Sequence, residues 1–203
     1  MKKFLTFLLA TTMGLTNLVP AFAAENENYI FQEVSVNQEL KDKLEASIVR
    51  ENGSIVTLNP EYKLYKVTKN SRNLAEEDLE QYVLEVTANY RSSKGVDSDY
   101  DESKKADASV TATMWFTERL AGDILDRIRV EFSAGPGVQV YNRTLKYRGE
   151  GTGATPTKSK QIGMYFDEEI TGVYGAGLGV SATVTAKIES YGVSDSLEVS
   201  LAS

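Results

Sequence analysis

Residues Leu178–Ile188 read LGVSATVTAKI. Leu178, Val180, Ala182, Val184, Ala186 and Ile188 fall on one side of an extended chain; Ser181, Thr183, Thr185 and Lys187 fall on the other. Successive side chains of a strand point to opposite faces, so this stretch reads as a strand with one dry face and one wet face. Such two-faced strands belong to antiparallel sheets. Parallel strands, covered on both sides, read as unbroken apolar runs.

The same alternation recurs on either side of this segment. Toward the C-terminus, Leu197, Val199 and Leu201 oppose Glu198 and Ser200. Toward the N-terminus, Ile128, Val130 and Phe132 alternate with Arg129, Glu131 and Ser133. Val110, Ala112, Met114 and Phe116 oppose Thr111, Thr113 and Trp115, which places Trp115 either toward water or under a second covering layer. Tyr82, Leu84, Val86, Ala88 and Tyr90 oppose Val83, Glu85, Thr87 and Asn89. The turn signals agree. Ala46–Arg50 and Ser54–Leu58 flank Glu51-Asn52-Gly53, and Asn-Gly is a strong hairpin signal. Asn59-Pro60 and Gly135-Pro136-Gly137 break further connections, and Gly149 to Gly163 reads as a long polar loop.

Helix signals are few. Ser35 and Gln38 form a capping box ahead of Val36, Leu40 and Leu44, which share one helical face. Asn73 and Glu76 form a second box before Gln81. Phe116, Leu120, Ile124 and Ile128 also fall at helical spacing, but Gly122 and the alternation after it predict a loop at Ala121-Gly122-Asp123 between two strands. The expected fold is all-β: an antiparallel two-sheet β-sandwich with a short N-terminal helix. One domain spans residues 24–203, with 24–45 a partly helical N-terminal extension and 92–107 an acidic loop. The general look is similar to short secreted β-proteins of Gram-positive bacteria, and no motif singles out a family.

The chain begins with an address. Lys2 and Lys3 precede the apolar run from Phe4 to Ala10, and Pro20 precedes the small-residue site Ala21-Phe22-Ala23-Ala24. Basic, apolar and small-residue regions in that order predict a signal peptide over residues 1–23, cut after Ala23 or Ala24. The run is short and interrupted by threonines, so no stable transmembrane span is expected after cleavage. The C-terminal residues carry no sorting motif or apolar tail, and secretion to the extracellular space is the expected localisation. Cleavage removes two lysines and takes the net charge from −7 to −9.

Composition removes many mechanisms. The 203 residues include no Cys and no His. There is no thiolate nucleophile, no Cys-ligated metal and no imidazole base. No histidine triad can form. A secreted chain of this length can build its core without disulfides, as bacterial secreted proteins commonly do. No cofactor is expected. The glycines of Gly172–Gly179 lack the spacing and the following helix of a dinucleotide fingerprint, so they are expected to shape a bulge or bend entering a strand.

The charge is uneven. All of the net negative charge lies before Arg127; from there to Ser203 eight bases balance eight acids. That balance argues against a nucleic-acid partner, which needs a basic stripe. Asp97, Asp99, Asp101 and Glu102 form the densest acid cluster. Aspartates two apart can wrap oxygen ligands around calcium, but the position where an EF-hand loop has glycine is Glu102, and where it ends in glutamate is Ala108. The alternative is a solvated acidic loop. Asp167-Glu168-Glu169 could supply a glycosidase pair only if two of them faced one another across a cleft, which neighbours on a strand do not. Lys146 and Arg148, with Tyr141 and Tyr147 on the same segment, could meet an anionic envelope polymer; as an alternative they protect a strand edge. Trp115 and the tyrosines could instead form a sugar-stacking platform. The expectation is therefore a secreted, non-enzymatic bacterial protein acting through its surface on an extracellular protein, glycan or envelope polymer. The alternatives are a carbohydrate-binding module, calcium-assisted or not, and a secreted toxin or bacteriocin that inserts the Leu178–Ile188 strand into membranes.

Overall fold

A computed structural model describes residues 29–69, 80–91 and 107–203. The predicted signal peptide, the second capping box and the Asp97, Asp99, Asp101 and Glu102 cluster lie outside the described residues. Those described form two antiparallel six-stranded sheets packed face to face, with one helical turn. The first sheet holds β1 (Tyr29–Val34), β4 (Glu61–Lys69), β5 (Gln81–Tyr90), β6 (Ala108–Thr117), β7 (Ile124–Ala134) and β10 (Tyr165–Glu169), in the order β1-β4-β5-β6-β7-β10. The second holds β2 (Glu45–Val49), β3 (Ile55–Leu58), β8 (Gln139–Gly149), β9 (Lys158–Gln161), β11 (Val180–Ser190) and β12 (Val193–Ala202), in the order β3-β2-β12-β11-β8-β9.

The alternation sets which face is buried. Val180, Ala182, Val184, Ala186 and Ile188 of β11 pack inward in the middle of the second sheet, beside Leu197, Val199 and Leu201 of β12. They meet Leu84, Val86, Val110, Met114, Ile128 and Val130 of the first sheet in one core. At about 25 cal/mol per Å² of apolar surface removed from water, this layer supplies the main drive to fold. The Asn52-Gly53 signal makes the β2–β3 hairpin, with Gly53 in the left-handed region at φ 82°. Tyr191 (φ 53°) and Gly192 (φ 74°) close the β11–β12 hairpin as a two-residue turn whose left-handed residues match the strand twist. Ala121–Asp123 is the expected loop between β6 and β7. Gly135-Pro136-Gly137 carries the chain from one sheet to the other rather than closing a hairpin.

Three strands differ from the sequence expectation, and all lie at sheet edges. β1 sits in the stretch expected to be a partly helical extension and pairs along its whole length with β4. β9 lies inside the expected polar loop Gly149–Gly163, and β10 follows it. All four residues of β9, Lys-Ser-Lys-Gln, are exposed. Main-chain bonds to β8 hold it, and no buried face marks it in the sequence. The helix is a single turn, Gln38–Lys41, that buries Leu40. Its N-cap is Asn37, not the expected Ser35: the Asn37 side chain accepts from the Leu40 N–H at 2.8 Å.

The Gly172–Gly179 stretch bends before β11, and its backbone ties the two sheets together. Gly175 N–H donates to Asp123 at 2.8 Å, Ala176 N–H to Glu150 at 2.7 Å and Gly177 N–H to Ala121 at 2.8 Å. The approach is so close that a Cβ on Gly149 would overlap the Tyr174 carbonyl.

Candidate functional site

The outer face of the first sheet is not a plain wet surface. Register places Tyr65 of β4, Val83 of β5, Trp115 of β6, Arg127 of β7 and Glu169 of β10 in one line across it. The adjacent line runs Lys63, Glu85, Thr113, Arg129, Asp167. Tyr65, Val67, Val83 and Trp115 form a second buried apolar cluster there, with Tyr29 and Phe31 of β1 packed against it. Val83 is fully buried within this cluster.

Arginine covers the tryptophan. The Arg127 guanidinium lies 4.9 Å and that of Arg129 5.8 Å from the Trp115 ring centre. Such contacts contribute about 0.5–2 kcal/mol, more as water is excluded. Asp167 pins both cations. Arg127 donates through two nitrogens to its two oxygens at 2.6 Å each, and Arg129 Nε donates at 2.8 Å. Tyr165 adds its hydroxyl at 3.0 Å.

Next to this platform a cleft of about 450 Å³ opens on the outer face, lined from Tyr29 and Phe31 of β1 through to Glu169 of β10. Tyr29, Phe31 and Trp115 give it aromatic walls; Gln81, Asp126 and Glu169 supply acceptors and an amide. Asp126 arrives there through a β-bulge. Trp115 pairs with Arg127 but Phe116 pairs with Leu125, so Asp126 is the extra residue of β7. Its carboxylate accepts from Thr117 Oγ1 at 2.7 Å and Gln81 Nε2 at 3.2 Å. The arrangement offers apolar walls, an oriented carboxylate and a pinned guanidinium to a polar ligand.

The electrostatics of this face have two signs. Burial disfavours the Asp167 anion, but hydrogen bonds from Arg127, Arg129 and Tyr165 outweigh it and hold its carboxyl below the ordinary value. Burial raises Glu85, against the opposing pull of Lys63. Burial, then Glu85 and Glu33, push the Tyr65 phenol up to about 12. A depressed folded pKa stabilises at neutral pH and is lost as pH falls through it; a raised one destabilises above it and is relieved on acidification. Stability is therefore expected to gain from Glu85 as pH drops from neutral, and to lose Asp167's contribution below about pH 4. Asp167→Asn should flatten that acid limb in urea titrations run from pH 7 to 2, and an unchanged limb would show that Asp167 does not govern it.

The residues singled out from the sequence do not converge. Trp115 borders the cleft and is 7% exposed. Tyr141, Lys146, Tyr147 and Arg148 lie on β8, in the other sheet. Tyr147 packs against the central core. Lys146 and Arg148 are exposed, with Arg148 donating to Glu150 at 3.1 Å, and Tyr141 shares a 2.9 Å hydrogen bond with Ser194. Lys160, in the same basic region, is tied to Glu168 at 2.6 Å. Tyr29, Phe31, Gln81, Asp126 and Glu169 were not among the expected site residues. The first two sit on an edge strand with no alternating signal, and a bulge aims Asp126.

Compared with known proteins, this chain matches no family model, no curated protein and no solved structure.

Proposed function

We propose that this chain is a secreted bacterial binding protein, not an enzyme, and that it engages its ligand through the outer face of the β1-β4-β5-β6-β7-β10 sheet. The observation that carries this reading is the cleft beside Trp115. It lies on a face that a two-layer sandwich ordinarily leaves to water, yet it has aromatic walls, an oriented carboxylate and an arginine, Arg127, locked by Asp167. Ordered groups lose little freedom when a ligand arrives, which favours binding. The cleft also favours a soluble ligand over the membrane-inserting alternative: the apolar side of β11 is already the core of the second sheet, so insertion would require the sandwich to come apart.

A carbohydrate is the ligand class most compatible with aromatic walls beside amide and carboxylate groups. Arginine already occupies a face of Trp115, so the stacking surface would come from Tyr29 or Phe31. The chain has a single tryptophan, so its fluorescence reports on this cleft alone. Titrating soluble glycans, anionic envelope polymers and extended peptides should give a saturable emission change with one of these classes. Phe31→Ala and Gln81→Ala should each weaken that response about tenfold, the size of one lost contact of about 1.4 kcal/mol. Binding that leaves Trp115 emission and both variants unchanged would move the site elsewhere. Turnover abolished by Asp126→Asn or Glu169→Gln would make the protein an enzyme.

A further inference from the structure

Among the described residues, the four outermost strands of the sandwich are β1, β10, β3 and β9. An edge strand presents unpaired backbone groups, and proteins usually blunt such edges with charge. β1 carries Glu33, β9 carries Lys158 and Lys160, and β10 carries Asp167, Glu168 and Glu169. β3 reads Ile-Val-Thr-Leu and has no charge. It is also apolar to solvent: Ile55 is 70% exposed, Val56 39%, and Val49, paired with Ile55 on β2, 38%.

Hydrogen-bond alternation shows which groups of β3 face outward. Arg50 N–H donates to Ser54 across the hairpin at 2.8 Å. In an antiparallel ladder every second pair exchanges such bonds, so Val56 with Ile48 and Leu58 with Ala46 are the next bonded pairs. The N–H and C=O of Ile55 and Thr57 therefore point away from β2.

We infer that β3 pairs with β3 of a second copy of this chain, antiparallel about a two-fold axis at Val56, joining two six-stranded sheets into one of twelve. In this register Ile55 faces Thr57 of the second copy and Thr57 faces its Ile55. The outward groups of both strands then exchange four backbone hydrogen bonds. Val56 meets Val56 on the inner face. Only registers that set Ile55 or Thr57 opposite one another or themselves satisfy these groups, and this one uses both residues of each strand. A two-fold contact places a patch against itself, which a charged edge would resist and this neutral one does not. Two of the other edges lack this self-complementarity: β9 would set lysines, and β10 carboxylates, close to their own images.

The pairing is short, because Asn59-Pro60 ends β3. The buried area falls below the ~1,200 Å² of a standard stable interface, so dissociation in the range of about 0.1–1 mM is expected. Sedimentation velocity of the purified protein from about 10 μM to about 1 mM should show a monomer giving way to a dimer across that range. Over the same range, amide exchange should slow at Ile55 and Thr57 and stay unchanged at Val56 and Leu58, which already bond to β2. Two variants test the edge without removing a ladder bond of the monomer. Thr57→Pro deletes an outward donor, and Ile55→Lys adds the missing charge. Each should leave a monomer at about 1 mM with unaltered thermal unfolding. A wild-type protein that stays monomeric, a dimer that survives both variants, or slowed exchange only when a foreign extended peptide is added would each overturn self-pairing. None of these outcomes depends on the Trp115 cleft.

Discussion

Asp195→Ala is expected to lower the unfolding free energy by about 3–5 kcal/mol, a large share of the about 5–15 kcal/mol that typically holds a domain folded. Asp195 sits on the inward face of β12 with its side chain fully buried. Arg50, at the end of β2, donates to it at 2.6 Å, the Glu51 N–H at 3.1 Å and the Tyr90 hydroxyl at 2.9 Å. Tyr90 belongs to β5 of the other sheet, so this one carboxylate joins the β2–β3 turn, β12 and the opposite layer. The Arg50 guanidinium also lies 5.9 Å from the Tyr90 ring centre. Removing the anion leaves a mostly buried guanidinium without its counter-charge. That loss exceeds the net value of the intact pair, since the arginine has already given up its water. At about 2–4 °C per kcal/mol for a domain of this size, the melting temperature should fall by about 10 °C. Asp195→Asn keeps the shape and one acceptor and should lose less. A loss under about 1 kcal/mol in urea unfolding of the alanine variant would show that water replaces the carboxylate there.

Gly149→Ala is the second substitution with a large expected effect. Gly149 ends β8, where its N–H donates to Thr155 at 3.0 Å. A Cβ at this position would overlap the Tyr174 carbonyl oxygen and press on the Ala154 methyl at 3.0 Å. The overlap is with backbone, so no rotamer change relieves it. Tyr174 is itself bridged to Ile124 at the start of β7, and its carbonyl accepts the Thr155 N–H at 3.1 Å. One methyl group therefore forces apart the seam where the end of β8, the glycine-rich bend and the start of β7 meet. About 3 kcal/mol or more is expected, at the upper end of overpacking effects. Gly153, in the same region, has nothing within 4 Å of a Cβ, so Gly153→Ala should show only the smaller penalty of its left-handed φ of 89°. Equal losses for the two variants in chemical denaturation would remove the steric explanation.

The two-sheet fold was legible because its central strands carry their instruction locally. β11 alternates small apolar residues with serine and threonine, and any chain with that pattern has one face to bury. The β2–β3 hairpin was legible for the same reason, since Asn52-Gly53 encodes its turn within two residues. β9 was not, because a strand of Lys-Ser-Lys-Gln exists only where β8 offers it backbone partners. β1 places Tyr29 and Phe31 on the outer face, opposite to the usual inward rule, so its apolar residues suggest no sheet layer by themselves.

The candidate site was less legible than the fold. Trp115 was readable as a residue on the threonine side of β6, but its environment was not. Arg127 and Asp167 are forty positions apart and meet because β10 pairs with β7. Asp126 faces Gln81 because a one-residue bulge turns it outward, and no periodicity encodes a bulge.

The sequence by itself determined the all-β class, the dry and wet faces of the central strands and the absence of histidine and cysteine chemistry. Each of these follows from residue identity or from a period of two. Tertiary structure alone decided the edge strands β1, β9 and β10, the apolar cluster on an outer face and the cleft beside Trp115. Each depends on which distant strands become neighbours and in what register, and that is settled by packing of the whole sandwich rather than by any one segment.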